Sequence, residues 1–476
     1  MTSTTDADVE RLSDLEQGDH PRQSRGKGLT EDEMAAPLSE SEEKPSQGMT
    51  THPNSAESEE SVETGYGAAS DKEEGEDAPP DGGLTAWLQV VAALLTSMIS
   101  WGTPTSFGVF QLYYVESLQL PQWQVSWIGS VQFLLSYIAC VFSGRLADAG
   151  YVRETFSVGT FLVILGMFAT SVGHAYWHIF LAQGVTMGLG LGIMFMPPLQ
   201  VLSSYFQRRR TLAVTGAATG TGIGGVVLPA IVQYSIPRVG FGWAVRIVGF
   251  VALSCSVATL FLLKPRLKPR RSGAVVEWDA FKEPPYLFYS VGVFLLGLGL
   301  FFACFYINSF ARNVIGFSST DSVQLLLIQN GASIPARPII GYVANYHVGP
   351  MNTYIVSAVI LSVIMLSWIA VVDRTGLYVY AVFLGLTNGV CQGMYLGSLA
   401  SLTTDNHKMG TRMGMVHGIV GFATLAGPPM AGAIIDRSNG RYVYGQIYAA
   451  LTILLASGFF MAARYARTGP NLKVKV

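Results

Sequence analysis

Twelve successive apolar runs of about twenty residues constrain this chain more than any other feature. Each is long enough to cross a bilayer as a helix, and backbone in hydrocarbon must satisfy its own hydrogen bonds. The runs fall at 85–112, 125–145, 154–173, 177–201, 211–234, 243–263, 285–308, 320–343, 351–371, 376–400, 412–435 and 443–464. They predict an all-α integral membrane protein. Charge agrees with that reading. Residues 1–78 hold 21 of the 32 acids and 6 of the 30 bases, leaving 11 acids and 24 bases for the remaining 398 residues. So few charges exclude an ordinary soluble enzyme or nucleic-acid-binding domain of that length.

The runs divide six and six around one polar stretch carrying Lys264, Arg266, Lys268, Arg270, Arg271 and Lys282. The expected organisation is an acidic, disordered cytoplasmic tail (1–78) and a first six-helix bundle (79–263). A cytoplasmic linker (264–284), a second bundle (285–465) and a short cytoplasmic tail (466–476) follow. Alternate loops hold unequal numbers of bases: 17 on the side of the termini and 5 on the other, with Arg246 and Arg337 inside helices. The excess predicts a multi-pass protein of the cell membrane with both termini cytoplasmic. The first thirty residues lack the apolar core of a secretory signal, so insertion is expected to start near Trp87. Cys140, Cys255, Cys304 and Cys391 are far apart, each within an apolar run, which predicts buried thiols rather than disulfides or a metal site.

The two halves echo each other. Gly144-Arg145-Leu146-Ala147-Asp148 follows the second run, and Gly341-Tyr342-Val343-Ala344-Asn345 closes the eighth. Gly184, Gly188 and Gly192 in the fourth run have counterparts in Gly385, Gly389 and Gly393 of the tenth. Glycines four apart let membrane helices approach closely. Two parallel six-helix repeats predict two pseudo-symmetric bundles in the major facilitator architecture, with a solute site between them at mid-membrane.

Three local patterns narrow this further. Pro80-Asp81-Gly82-Gly83-Leu84-Thr85-Ala86-Trp87 precedes the first helix, and Tyr205-Phe206-Gln207-Arg208-Arg209-Arg210-Thr211-Leu212-Ala213 joins the fourth to the fifth. The eighth run ends in Ala336-Arg337-Pro338-Ile339-Ile340-Gly341-Tyr342-Val343-Ala344-Asn345. In that order the patterns make residues 79–467 resemble the monocarboxylate-transporter branch of the major facilitator superfamily, in particular its fungal members. The resemblance implies gating roles at one face for Gly144, Arg145, Asp148 and Arg153, where a carboxylate and arginines latch the halves. Asn345 stands where the second copy could carry an acid, which weakens a symmetric latch. Arg208, Arg209 and Arg210 form a charge cluster that either contacts lipid headgroups or takes part in gating. Asp81 and its glycines are expected to cap the first helix, with Trp87 at headgroup depth.

Arg337 is the most informative single residue. A guanidinium inside an apolar helix is costly unless it is paired or faces water, and its fork of donors matches a carboxylate. The resemblance implies that it partners an anionic substrate. Two family groups linked to proton-coupled lactate-type transport are absent: Ser333 replaces an aspartate one turn before Arg337, and Thr105 after Pro104 replaces a lysine. Thr215 likewise replaces a glycine that follows the Leu-Ala of the loop signature. The neutral residues Thr105, Tyr306, Asn308, Asn330, Asn388, Gln392 and Tyr395 could orient an amphipathic solute or bond between helices. His417 is the one membrane-embedded histidine that could titrate near neutrality, and beside Gly414, Met415 and Gly418 a packing role is the expected one, with a proton relay as the alternative.

The expected function is alternating-access transport of a small organic solute, a carboxylate or an acidic or aromatic metabolite. Nutrient uptake, export of a secondary metabolite and proton coupling all remain open. No phosphate-binding loop occurs, so neither nucleotide nor nucleic acid is an expected partner, and no cofactor, metal or covalent chemistry is expected. A membrane sensor on the same scaffold is the remote alternative, and an intramembrane enzyme is weaker still.

Overall fold

The computed structural model describes residues 79–116, 118, 119, 122–266, 274–403 and 408–470. They all belong to one compact unit, Tyr66–Val476. The acidic tail, the linker bases Lys268, Arg270 and Arg271, and the last six residues lie outside the described set.

Among the described residues the chain forms twelve long helices. They are α1 (Leu84–Thr105, resuming as Phe107–Glu116), α2 (Gln122–Asp148), α3 (Val152–Val172) and α4 (Tyr176–Tyr205). Within Arg210–Leu262 two helices, α5 (210–239) and α6 (241–262), meet at a kink at Gly240. The second half holds α7 (Pro284–Asn313), α8 (Ser319–Val343), α9 (Pro350–Ser367), α10 (Arg374–Leu402), α11 (Met409–Arg437) and α12 (Val443–Thr468). Each of the twelve apolar runs maps onto one of them, and the runs at 154–173, 243–263 and 351–371 extend past the ends of α3, α6 and α9.

The ends follow from local chemistry. The α1 break at Ser106 comes two residues after Pro104, which supplies no N–H to the preceding turn. Gly240, at φ 78°, turns α5 into α6 in a backbone region closed to most side chains. Prolines open α7 and α9, where a missing N–H is harmless, and the side chains of Ser318 and Asp373 cap α8 and α10.

Nine helical stretches among the described residues are long and apolar enough to cross a membrane, and one of these, Arg210–Leu262, contains two helices. The two that fall outside are α8 and α10. Gln329, Asn330 and Arg337 dilute the first, and Asn388 and Gln392 the second. Both helices lie where the halves meet.

Glycines set the packing identically in each half. Gly188 and Gly192 of α4 lie on the backbone of Gln132 and Ser136 in α2, while Gly385 and Gly389 of α10 lie on Gln329 and Ser333 in α8. The seam between the halves runs along α2–α11 and α5–α8. There Gly144 meets Gly410, Gly414 meets Cys140, Thr215 meets Gly341, and Asn330 Nδ2 donates to the Gly225 carbonyl at 3.3 Å.

Candidate functional site

Between the halves lies a cavity of about 90 Å³. The first half lines it with Ser97 and Trp101 of α1, Tyr137 of α2, Phe195 of α4 and Ala218 of α5. The second contributes Phe301, Arg337, Tyr354, Gln392 and Tyr395, with Cys391 in the wall. The walls are largely apolar, with six aromatic rings among aliphatic side chains. Pockets that bind drug-sized ligands measure roughly 300–1,000 Å³, so admitting one here requires the halves to separate.

Arg337 is the one charged group in this lining, and it is 3% exposed. One terminal nitrogen donates to the Ala218 carbonyl across the seam, and Nε has no partner among the described residues. Among those residues no carboxylate pairs with it. Packing of Gly393 against its methylenes fixes the side chain's course. The site therefore presents a buried cation with spare donor capacity, the arrangement that accepts an anion.

Of the other expected solute contacts, Gln392 and Tyr395 line the cavity, and Thr105, Tyr306, Asn308, Asn330 and Asn388 do not. Thr105 donates its hydroxyl to Gly102 in its own helix at 2.8 Å. Tyr306 stacks on Phe302, and Asn308 lies near Gly108 on the way to the second segment of α1. Asn330 bridges α8 to α5, while Asn388 accepts from Gln392 Nε2 at 2.9 Å and so holds that cavity residue. Sequence reasoning missed Tyr137, Phe195 and Phe301 as wall residues because aromatic side chains abound in every run.

His417 is fully buried behind the wall. Its ring lies 5.2–6.0 Å from those of Tyr395, Phe195, Tyr137 and Trp101. Nδ1 is 2.9 Å from the Met413 carbonyl, and Nε2 meets the Tyr395 hydroxyl.

One end of the seam is the basic face, at which α2, α4, α8 and α10 end. There Asp148 is buried and links the halves: it accepts from the Thr411 N–H at 2.8 Å and the Thr411 hydroxyl at 2.6 Å, while Gln200 donates to its other oxygen. Because Thr411 lies in the first turn of α11, the carboxylate faces that helix's free N–H groups and positive dipole end. Gly144 gives α2 its close approach to Gly410, and Arg145 is buried beside it. Arg153 instead donates to the Leu263 carbonyl at 2.9 Å, tying α3 to the end of α6 within the first half. Asn345 lies half-buried in a π-helical turn, Ala344–Val348, that continues α8.

The arginine cluster has a different arrangement from the one expected. Asp81 does not cap α1, whose N-cap Gly83 has no side-chain bond. Its Oδ1 accepts the backbone N–H groups of Gln207 and Arg208 at 2.6 and 2.7 Å, and its own N–H bonds the Tyr205 carbonyl at 3.0 Å. Trp87 packs edge-on against Phe206 at 5.4 Å. The first two sequence patterns are thus a single clasp that holds the α4–α5 turn. Arg208 and Arg209 are exposed, and Arg210 Nε bonds the Phe206 carbonyl at 2.9 Å.

A second ionic cluster, unforeseen in the sequence, anchors the linker. Glu277 pairs with Lys408 at 2.7 Å and Arg412 at 3.2 Å, and Arg412 Nη1 also reaches Glu283 at 3.0 Å. These residues lie more than 120 positions apart, beyond any local motif.

At the opposite end of the seam Leu326 of α8 lies over Gly108, and Val323 shares an apolar cluster with Phe107 and Phe110. The cavity is therefore set between two zones where the halves touch.

Known proteins agree with this architecture. The Major Facilitator Superfamily model matches residues 90–415. An MFS-type transporter of Gibberella zeae is 37% identical, covering 81% of this chain and 88% of the relative. The MFS-type transporter dbaD of Emericella nidulans is 34% identical over 80% of this chain and 86% of its own length. The aspyridones efflux protein apdF of the same species is 31% identical over 81% and 79%. With twelve helices in two repeats around a central cavity, the chain belongs to the Major Facilitator Superfamily and is a transmembrane transporter of a small solute.

Proposed function

We propose that this transporter exports an acidic, aromatic organic metabolite across the cell membrane, with both termini in the cytoplasm. The observation that carries the reading is Arg337, a buried guanidinium without a carboxylate partner among the described residues, set in an apolar cavity to which both halves contribute aromatic rings. An anion brought there by the solute supplies the missing counter-charge, and the rings of Trp101, Tyr137 and Phe301 cover its apolar part. The name of the aspyridones efflux protein supports export over uptake. The excess of bases on the face of the termini supports the orientation. The loop signature at 205–213 supports a place near the monocarboxylate branch, and Ser333 and Thr105 in place of that branch's charges favour acids other than lactate.

Benzoate binding to the purified full chain tests the site. Losing a charged hydrogen bond removes about 1.5–3 kcal/mol, so Arg337→Ala should weaken the Kd roughly ten- to a hundredfold, and Arg337→Lys less. Equal affinity in wild type and Arg337→Ala would remove Arg337 from the site. Direction is read separately: cells lacking the protein should retain an acidic metabolite that wild-type cells release.

A further inference from the structure

We propose that His417 and Tyr395 form a proton-binding site whose occupancy is linked to that of the anion on Arg337; the inference rests on the anion reading above. The argument starts from hydrogen-bond polarity. A carbonyl only accepts, so the bond to Met413 places the hydrogen of neutral His417 on Nδ1. Nε2 then accepts, and the Tyr395 hydroxyl spends its hydrogen on the imidazole. In this state Tyr395, a wall residue of the cavity, has only oxygen lone pairs left to offer a ligand.

A proton arriving at Nε2 reverses that bond. Nε2–H donates to the Tyr395 oxygen, and the tyrosine's own hydrogen is freed to turn into the cavity. The added proton stays on His417, no covalent bond other than N–H is made, and the wall gains a donor beside Arg337. A carboxylate there receives two sets of donors instead of one.

The surroundings give the linkage its sign. Around the pair stand the hydroxyls of Tyr137, Tyr289 and Tyr354 and the thiol of Cys140, and Arg337 shares the cavity. On the same helix Arg412 is already committed to Glu277 and Glu283. Among the described residues no carboxylate pairs with the imidazole. Protonation of the empty carrier therefore sets two cations around one dry cavity, and an anion on Arg337 neutralises one of them. Proton and anion favour each other's binding, and neither effect exists without the other.

The ring cage also divides between the halves. Trp101, Tyr137 and Phe195 come from the first half, and Tyr395 and His417 from the second. Separation of the halves for solute entry opens this cage and brings water to the imidazole, so protons exchange in the same state in which the anion does. On closure the three first-half rings return as π faces around the cation.

The stacked Trp101–His417 pair, 6.0 Å apart at 26°, provides a readout without any ligand, because an imidazolium quenches a neighbouring indole. Tryptophan fluorescence of the full chain should fall in a single step as pH is lowered past the point at which His417 takes its proton. His417→Gln and Trp101→Phe should each remove that step, and saturating benzoate should move the wild-type midpoint to higher pH. In Tyr395→Phe the step should persist while the benzoate-induced movement shrinks. Size-exclusion profiles matching wild type confirm that the variants are folded. An identical titration in His417→Gln would overturn the proton site, and a midpoint unmoved by benzoate that calorimetry shows to be bound would overturn the linkage. Failure of benzoate to bind strikes the anion reading alone, and the ligand-free titration still decides whether His417 takes the proton.

Discussion

At the scale of single residues, the membrane body uses its few acids as staples. Asp81 is one of 11 outside the tail, and it adopts φ 49°, an unusual backbone for anything but glycine. That backbone aims its carboxylate at the N–H groups of Gln207 and Arg208, 126 and 127 residues on. The pattern around it was legible in the sequence, but its partner was not, since nothing local to Asp81 indicates the α4–α5 turn. Asp81→Ala leaves the turn's N–H groups without their acceptor and should lower stability by about 1–2 kcal/mol, as loss of a capping side chain does. Thermal unfolding of the purified protein checks this. An unchanged melting temperature would mean that the Tyr205 backbone bond alone holds the clasp. Arg337 illustrates the converse: a buried charge in an apolar run stands out in sequence because its cost demands a reason.

At the scale of elements, the helices were readable and their long-range partners were not. Hydrophobic length marks ten of the twelve plainly and α8 and α10 more faintly, and the non-helical backbone of Gly240 is where α5 ends and α6 begins. The linker shows the limit of such reading. Residues 264–284 look like a basic spacer, yet Glu277 and Glu283 bind Arg412 and Lys408 near the start of α11. Burial pushes the Glu277 carboxyl up, but the bonds and charges of Arg412 and Lys408 outweigh it and hold the group below its ordinary value. A depressed carboxylate stabilises its contact fully above the ordinary Glu range, near about pH 4.3, and loses that contribution as pH falls through the lower folded value. Hydrogen-exchange protection at 274–283, taken relative to the intrinsic exchange rate at each pH, should therefore hold at neutral pH and drop only below about pH 4.3. Glu277→Gln should exchange faster at neutral pH and lack the acid step. Equal protection in the two proteins would assign the anchoring to Glu283 alone.

For the whole molecule, the seam between halves must be tight enough to seal the cavity and weak enough to part. Its composition meets both demands. On the α2–α11 side Gly144 against Gly410 and Gly414 against Cys140 place backbone on backbone, so these two contacts part without extracting an interlocked side chain. Asp148 adds a polar latch that water can replace when the halves separate. A Cβ on Gly414 would lie 2.6 Å from the Cys140 carbonyl oxygen and 3.0 Å from the Val141 Cα, both backbone atoms that cannot yield locally. Gly414→Val should therefore destabilise the closed arrangement by about 1–3 kcal/mol, the usual range for an overpacked contact. An equilibrium between closed and open forms then shifts roughly 5- to 150-fold toward the open one. Cys391, fully buried in the cavity wall, reports that shift. With Cys140, Cys255 and Cys304 changed to alanine, a polar maleimide supplied at the basic face should label Cys391 faster in Gly414→Val than in the parent. Solute turnover should slow, because each cycle must pass through the disfavoured closed state. Unaltered labelling alongside normal turnover would mean that α2 and α11 do not part at this contact, and that the halves open by bending within each bundle instead.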